Sequence, residues 1–200
     1  TEYALFADGE IQYSAVAPVG AGHFTNDLAM VLRTPFAEAE KIKTKHGCCL
    51  ASMVTDDEGI SVPTVAGGSA RVVPRRELCD ILQPRAEELF NLLRDDLRKY
   101  ASEDSLRGGV VLTGGGAQLD GLLELSEQVF DVGVRYGLPR GLGGLVDVIS
   151  SPSWSTASGL LLYGLAAEET RQGKAAQKKK AGFSVRGMMG SLKGMFSDLL

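Results

Sequence analysis

A short apolar segment that leads into three consecutive glycines constrains the fold of this chain more than any other feature. The segment, Gly109 to Leu112, has no polar alternation, which is typical of a strand buried on both faces in a parallel sheet. Gly114, Gly115 and Gly116 then turn the chain, and apolar residues at helical spacing predict a helix from about 119 to 130. This strand–turn–helix unit predicts an α/β fold.

The remaining segments of residues 1–170 fit the same fold class. Asp8-Gly9 predicts a hairpin turn between two strands, and Thr25-Asn26-Asp27 predicts the cap of a helix. A second helix is predicted from Pro35 to His46, with Gly47 as its C-cap. The run at 48–54 predicts a strand.

A long helix is predicted from Pro74 onwards, because apolar residues recur at helical spacing as far as Leu97. Pro84 lies inside this pattern and lacks the amide hydrogen that a helix interior needs. We therefore expect a kink or a break at Pro84.

The residues alone leave the function of the three glycines open. Glycine lets a ligand approach the backbone closely, and amides at a helix start suit a phosphate group. A tight connection between strand and helix explains the same residues, since neither a dinucleotide-binding motif nor a phosphate-binding loop motif is present. No catalytic constellation is recognised, and Cys48, Cys49 and Cys79 lack the spacing of metal ligands.

The charge is divided unevenly along the chain. The net charge is −4, which gives no general reason to bind nucleic acid. Residues 171–200 contain seven basic residues and one acidic residue, whereas residues 1–170 contain 14 basic and 24 acidic residues. A basic tail on an acidic body is typical of an interaction segment.

Residues 171–182 lack large apolar side chains and predict a flexible linker, and residues 183–200 then predict an amphipathic helix. Two basic residues, Arg186 and Lys193, flank its apolar stripe. The pattern favours a helix that lies in a membrane surface, while docking on the body or in a groove of a partner protein stays open. The stripe consists of Val185, Met188, Met189, Leu192, Met195, Phe196, Leu199 and Leu200.

Several segments in order resemble the FtsA family of actin-like bacterial cell-division proteins. The resemblance covers essentially all 200 residues, and the ordered series is more specific than any one segment. The segments are TNDLA at 25–29, AEKIK at 39–43, KHG at 45–47, QPR at 83–85 with EL at 88–89, VLTGGG at 111–116, GLVDV at 144–148 and STASGLLLYG at 155–164.

The resemblance implies the second half of an actin-like, ribonuclease H-like fold with an inserted smaller α+β subdomain. Residues 1–35 and 109–170 would form the subdomain beneath the nucleotide, and residues 36–108 the inserted subdomain. Residues 171–182 would be the linker and residues 183–200 the membrane-targeting helix.

The resemblance also implies an ATP site, occupied with Mg in the full-length protein. Glu40 and Lys43 would reach the ribose and adenine, and Gly114, Gly115 and Gly116 would line the nucleotide from the other side. The family's first phosphate loop and catalytic acids belong to its first half, which would precede Thr1. We therefore expect the chain by itself not to hydrolyse ATP.

The partners implied by the resemblance are the C-terminal peptide of FtsZ, an anionic membrane surface and, in the full-length protein, further copies of itself. Arg85 matches a basic position implicated in the peptide contact, with Glu88 one turn further on; a solvated helix residue is the alternative for Arg85. The expected location is the cytoplasmic face of the inner membrane at the division site. The alternative function is a soluble actin-like ATPase or kinase fragment whose tail docks on a protein partner.

Overall fold

The computed structural model describes residues 1–55, 58–65, 69–100, 106, 108–143 and 149–171. The chain divides into two compact units. The first contains the described residues 1–139 and 149–155, and the second contains residues 140–143 and 156–171. The predicted linker beyond residue 171 and the whole predicted tail helix lie outside the described residues.

The chain opens with the predicted hairpin. Strands β1 (Glu2–Ala7) and β2 (Glu10–Val16) pair antiparallel. Asp8 and Gly9 have φ angles of 54° and 81°, the left-handed pair that a two-residue turn needs and that Asp-Gly tolerates. The hairpin prediction is therefore confirmed.

The first two helices follow directly. Helix α1 spans Ala21–Leu32 and α2 spans Phe36–His46. The predicted cap at 25–27 is wrong, because α1 begins four residues before Thr25, where the Gly20 amide donates to Nδ1 of His23 at 3.2 Å. The boundaries predicted for α2 are confirmed to within one residue.

The segment after α2 differs from its prediction. Residues 48–54 contain an isolated bridge from Cys48 to Asp120 and a 3-10 turn at Ala51–Met53, so the strand predicted there is wrong. Cys48 and Cys49 are buried in the core, and the apolar character of this run therefore reflects burial and not an extended backbone. Two short strands, β3 (Gly59–Val62) and β4 (Arg71–Pro74), then pair antiparallel.

Helix α3 (Arg75–Leu97) provides the centre of the first unit and packs on α1 and on the later helix α4 (Leu122–Phe130). It continues through Pro84, so of the two predicted alternatives the break does not occur. Its buried residues recur at the predicted helical spacing, and Phe90 meets Phe130 of α4 edge-on with ring centroids 5.9 Å apart. The buried residues of α3 are Leu78, Cys79, Leu82, Ala86, Leu89, Phe90, Leu93 and Leu97.

The predicted strand–turn–helix unit is present. Strand β5 (Val110–Leu112) leads into a 3-10 turn at Gly115–Gln118 and then α4 (Leu122–Phe130). Strand β6 (Val134–Tyr136) pairs parallel with β5. The predicted burial of β5 on both faces is wrong, because Val111 is 46% exposed and its two neighbours are half-buried. A 3-10 turn at Pro152–Trp154 precedes helix α5 (155–171).

The hairpin is joined to the end of α3 through one carboxylate. Tyr3 and Tyr13 both donate hydrogen bonds to Asp96, the Tyr13 bond at 2.8 Å, and Lys99 donates to it at 3.0 Å. The bonds from Tyr3, Lys99 and Tyr13 lower the pKa of Asp96 to about 2. Tyr100 stacks on Tyr13 with ring centroids 3.8 Å apart, which extends the contact.

All three cysteines of the chain lie in the core. Cys48, Cys49 and Cys79 are buried, and none of them forms a disulfide. Burial, followed by the neighbouring Cys48 thiol, raises the pKa of Cys79 to about 12, and burial raises the pKa of Cys49 as well.

Candidate functional site

A lysine buried between α1 and α2 holds the first predicted site residues together. Lys43 is 7% exposed, and its ammonium group donates to Glu40 at 2.7 Å, to the Thr25 hydroxyl at 2.8 Å and to the Ala21 carbonyl at 3.2 Å. Thr25 in turn donates to Glu40. The three hydrogens of the ammonium group therefore have three acceptors.

Glu40 provides the open side of this cluster. Its side chain is 45% exposed, whereas that of Lys43 is 8% exposed. Burial by itself raises the pKa of Glu40, but hydrogen bonds from Lys43 and Thr25 and the Lys43 charge outweigh this and lower it. The Glu40 carboxylate is thus fixed in position by Lys43 and Thr25 and faces solvent. As a hydrogen-bond acceptor it suits a hydroxyl or amino group of a ligand.

The predicted glycine turn lies beside the first residue of α1. Gly114 has a φ of 87°, a conformation that L side chains rarely adopt, and its amide donates to Pro152 at 3.0 Å. A Cβ added to Gly116 would lie 3.2 Å from the Cβ of Ala21. Because the Ala21 carbonyl accepts from Lys43, one continuous set of contacts joins Gly116 to the Lys43–Glu40 pair. The Gly114 amide, engaged by Pro152, is not available to a phosphate.

Hydroxyl and amide side chains that the sequence analysis missed flank the glycine turn. The hydroxyl groups of Thr113 and Ser155 are hydrogen-bonded to each other at 2.6 Å, and Thr113 donates to the Gly137 carbonyl at 2.9 Å. The Ser153 hydroxyl donates to the side-chain oxygen of Gln118. Ser153 is also the nearest side chain to a Cβ placed on Gly115, at 3.7 Å. The serine-rich stretch at 151–155 was the signal that could have identified this polar edge.

The two residues predicted to bind a peptide are also neighbours. Arg85 donates to both carboxylate oxygens of Asp27, at 2.6 and 3.2 Å, and to Glu88. The hydrogen bond to Asp27 is the largest effect and raises the pKa of Arg85. Burial opposes it, and the charges of Asp27 and Glu88 add to the increase, so that the pKa is raised overall. The sequence analysis named Asp27 only as part of a helix cap and missed its contact with Arg85, which is 58 positions away.

Helix α1 is common to the two predicted sites. Thr25 contacts Glu40 and Lys43, and two residues later Asp27 holds Arg85.

No helix within the described ranges is long and apolar enough to cross a membrane. No group of three or more His, Cys, Asp or Glu residues suited to a metal ion occurs within those ranges.

The ten residues predicted to contact a membrane lie outside the described residues. They are Val185, Arg186, Met188, Met189, Leu192, Lys193, Met195, Phe196, Leu199 and Leu200.

Comparison with known proteins decides the family. The family model "Cell division protein FtsA" matches residues 1–159. The chain belongs to the FtsA family. It is 42% identical to FtsA of Pseudomonas aeruginosa over 165 residues and 38% identical to FtsA of Escherichia coli K12 over 191 residues. These alignments cover 82% and 92% of this chain but 40% and 45% of the relatives. The chain thus spans less than half the length of these FtsA relatives. Membership confirms the predicted family resemblance.

Solved structures confirm the predicted actin-like α/β fold of this FtsA-family chain. MreB5 of Spiroplasma citri bound to AMPPNP matches with a TM-score of 0.65 and 15% identity, covering 86% of this chain and 51% of MreB5. The ethanolamine utilization protein EutJ of Carboxydothermus hydrogenoformans matches with a TM-score of 0.51 and 21% identity, covering 79% of this chain and 43% of EutJ. At these identities the likeness concerns the fold alone.

Proposed function

We propose that this chain is the C-terminal part of an adaptor that tethers FtsZ polymers to the cytoplasmic face of the inner membrane at the division site. The observation that carries the proposal is membership of the FtsA family over residues 1–159. The basic, apolar-striped residues 183–200 supply the membrane anchor, and residues 171–182 supply the linker. Full-length copies associate with one another along the membrane.

The nucleotide part of the proposal concerns ATP, with Mg, in the full-length protein. Glu40 and Lys43 form the side of the site that faces the ribose and adenine, with Glu40 as the exposed member of the pair. Gly114, Gly115 and Gly116 line the opposite side. Two observations support this placement: the contacts that join Gly116 through Ala21 to Lys43, and the structures of a fold relative, MreB5, with AMPPNP and ADP.

The two predicted subdomains are part of the same proposal. We assign residues 1–35 and 109–170 to the subdomain beneath the nucleotide and residues 36–108 to the subdomain that binds the FtsZ peptide. In this assignment α1 belongs to the former and α3 to the latter, so the Asp27–Arg85 pair and the Asp96–tyrosine contacts join the two.

Sedimentation with anionic liposomes tests the membrane anchor. We expect the intact chain to sediment with the vesicles and a chain ending at Arg171 to stay in the supernatant. Phe196→Glu places a charge on the apolar stripe, and Ser197→Glu makes the same charge change beside it, off the stripe. The Phe196→Glu variant should lose binding to a greater extent than the Ser197→Glu variant. Equal sedimentation of the intact and shortened chains would show that the tail is not the anchor.

Fluorescence polarisation with a labelled C-terminal FtsZ peptide tests the partner. Arg85→Glu should abolish binding, because it replaces a cation by a charge that repels acidic groups. Arg98→Glu makes the same change at an exposed position near the end of α3 and should bind as the parent does. Unchanged affinity of the Arg85→Glu variant would place the peptide elsewhere.

A further inference from the structure

The proposed peptide-binding arginine is already occupied by carboxylates of its own chain. Arg85 presents its Nε and Nη2 atoms to the two oxygens of Asp27, at 2.6 and 3.2 Å, and its Nη1 atom to Glu88. A guanidinium group has five N–H donors. Three of them are therefore engaged, and the two-pronged bond to Asp27 has the same geometry that a carboxylate of a bound peptide would adopt.

The charge around Arg85 opposes an acidic ligand. The formal charges of Arg85, Asp27 and Glu88 sum to −1, so an approaching carboxylate meets a net negative group in place of a free cation. Like charges brought together at an interface lower affinity. An acidic peptide can pair fully with Arg85 after the Asp27 carboxylate has moved away or lost its charge.

Asp27 and Arg85 are held next to each other by the packing of their helices. Leu28, beside Asp27, and Ala86, beside Arg85, are each fully buried, which fixes the backbones of α1 and α3. The Asp27 carboxylate is thereby held next to Arg85 at a high effective concentration. The side chains of Asp27 and Arg85 are 21% and 30% exposed, so the pair is accessible to solvent and can be exchanged.

From these observations we infer that Asp27 is an intramolecular competitor that occupies Arg85 in place of the carboxylates of an acidic peptide. The inference rests on the proposed peptide site at Arg85. It assigns Asp27, on a different element from the proposed peptide-binding residues, as the residue that limits affinity there.

The test measures polarisation of the labelled peptide at low ionic strength with the parent protein, two Asp27 variants and a matched control, alongside variants of Arg85. Asp27→Asn keeps the size of the side chain and removes its charge, and Asp27→Ala removes the carboxylate altogether. Asp95→Asn is the matched control, since it makes the same charge change on α3 about 15 Å along the helix axis from Arg85. Circular dichroism and thermal denaturation establish that each variant is folded.

We expect both Asp27 variants to bind the peptide about two- to fivefold more tightly than the parent, the range for one partly exposed charge pair. The Asp95→Asn variant should match the parent, and high salt should reduce the gain. Combining Asp27→Asn with Arg85→Gln should abolish the gain, since the competition acts through Arg85.

The outcomes separate this inference from the proposed site. Loss of binding in Arg85→Glu together with unchanged or weaker binding in both Asp27 variants would overturn the competition and make Asp27 a residue that positions Arg85. Unchanged binding in Arg85→Glu would overturn the peptide site itself. Equal gains in the Asp27→Asn and Asp95→Asn variants would assign the effect to net charge and would also overturn the competition.

Discussion

Replacement of Gly47 tests the packing at the end of α2. The sequence predicts this glycine as a helix C-cap, for which a left-handed backbone is the usual reason. The structure confirms the cap but gives it a φ of −63°, which any residue adopts. An added Cβ would instead lie far inside contact distance of the Lys43 carbonyl oxygen, 2.9 Å from Leu119 and 3.2 Å from Leu82. Glycine is therefore required for space and not for conformational freedom.

The magnitude follows from these contacts. The leucine methyl groups can move by a few tenths of an ångström, but the Lys43 carbonyl cannot move without weakening its hydrogen bond from the Gly47 amide, 2.9 Å long. Overpacking costs about 1–3 kcal/mol and a weakened hydrogen bond about 0.5–1.5 kcal/mol. Alanine also lowers the conformational entropy of the unfolded chain, which stabilises the folded state by about 0.4–1 kcal/mol. We expect Gly47→Ala to lower the free energy of unfolding by about 2 kcal/mol and the thermal midpoint by roughly 4–8 °C.

Urea denaturation of three variants discriminates between the two reasons. Crowding predicts that Gly47→Asn is at least as damaging as Gly47→Ala, whereas a left-handed requirement predicts that asparagine is tolerated better. Gly22→Ala in α1 is the control, because a Cβ there meets nothing within 4 Å, and it should raise stability by about 0.5–1 kcal/mol. A Gly47→Asn variant that is more stable than Gly47→Ala would refute the packing argument.

Three further outcomes are expected. Lys43→Met should lower the free energy of unfolding by about 1–2 kcal/mol in urea, since the bonds of the ammonium group are lost while Glu40 regains water. Folding lowers the pKa of Glu40. The stability that Glu40 contributes is therefore present above its pKa in the unfolded chain and is lost as the pH falls through its pKa in the folded chain. Between neutral and acidic pH, the thermal midpoint should decline less in Lys43→Met than in the parent. The contribution of Asp96 is likewise lost between pH 3.8 and about 2, so Asp96→Asn should flatten acid denaturation in that window, and parallel curves would contradict this.

Features encoded by neighbouring residues were predictable from the sequence. The hairpin follows from the turn chemistry of Asp8-Gly9, and α3 follows from an apolar repeat that continues on both sides of Pro84. The start of α1 was missed because the side-chain hydrogen bond at its N-terminus runs from the Gly20 amide to His23, and no Ser, Thr, Asp or Asn occupies the cap position. The strand predicted at 48–54 failed because apolar residues in a short run indicate burial without fixing the backbone.

The candidate sites were predictable to a lesser degree. The spacing of Glu40 and Lys43 places them one helical turn apart, and the structure joins them at 2.7 Å. The contribution of Thr25 had no local signal, because it reaches Glu40 across 15 positions from another helix. The same holds for Asp27, whose partner is 58 positions away. Contacts between distant segments depend on how helices pack, and no periodicity within one helix specifies them.

The burial of every cysteine has a practical consequence for following this protein in solution. Maleimide dyes react with thiolates that solvent can reach, and Cys48, Cys49 and Cys79 are all enclosed in the core, two of them with raised pKa values. A thiol introduced on the surface can therefore be labelled without first removing the native ones. The half-exposed side chain of Glu88, in contact with Arg85, offers a place where a Glu88→Cys dye would report directly on what occupies that arginine.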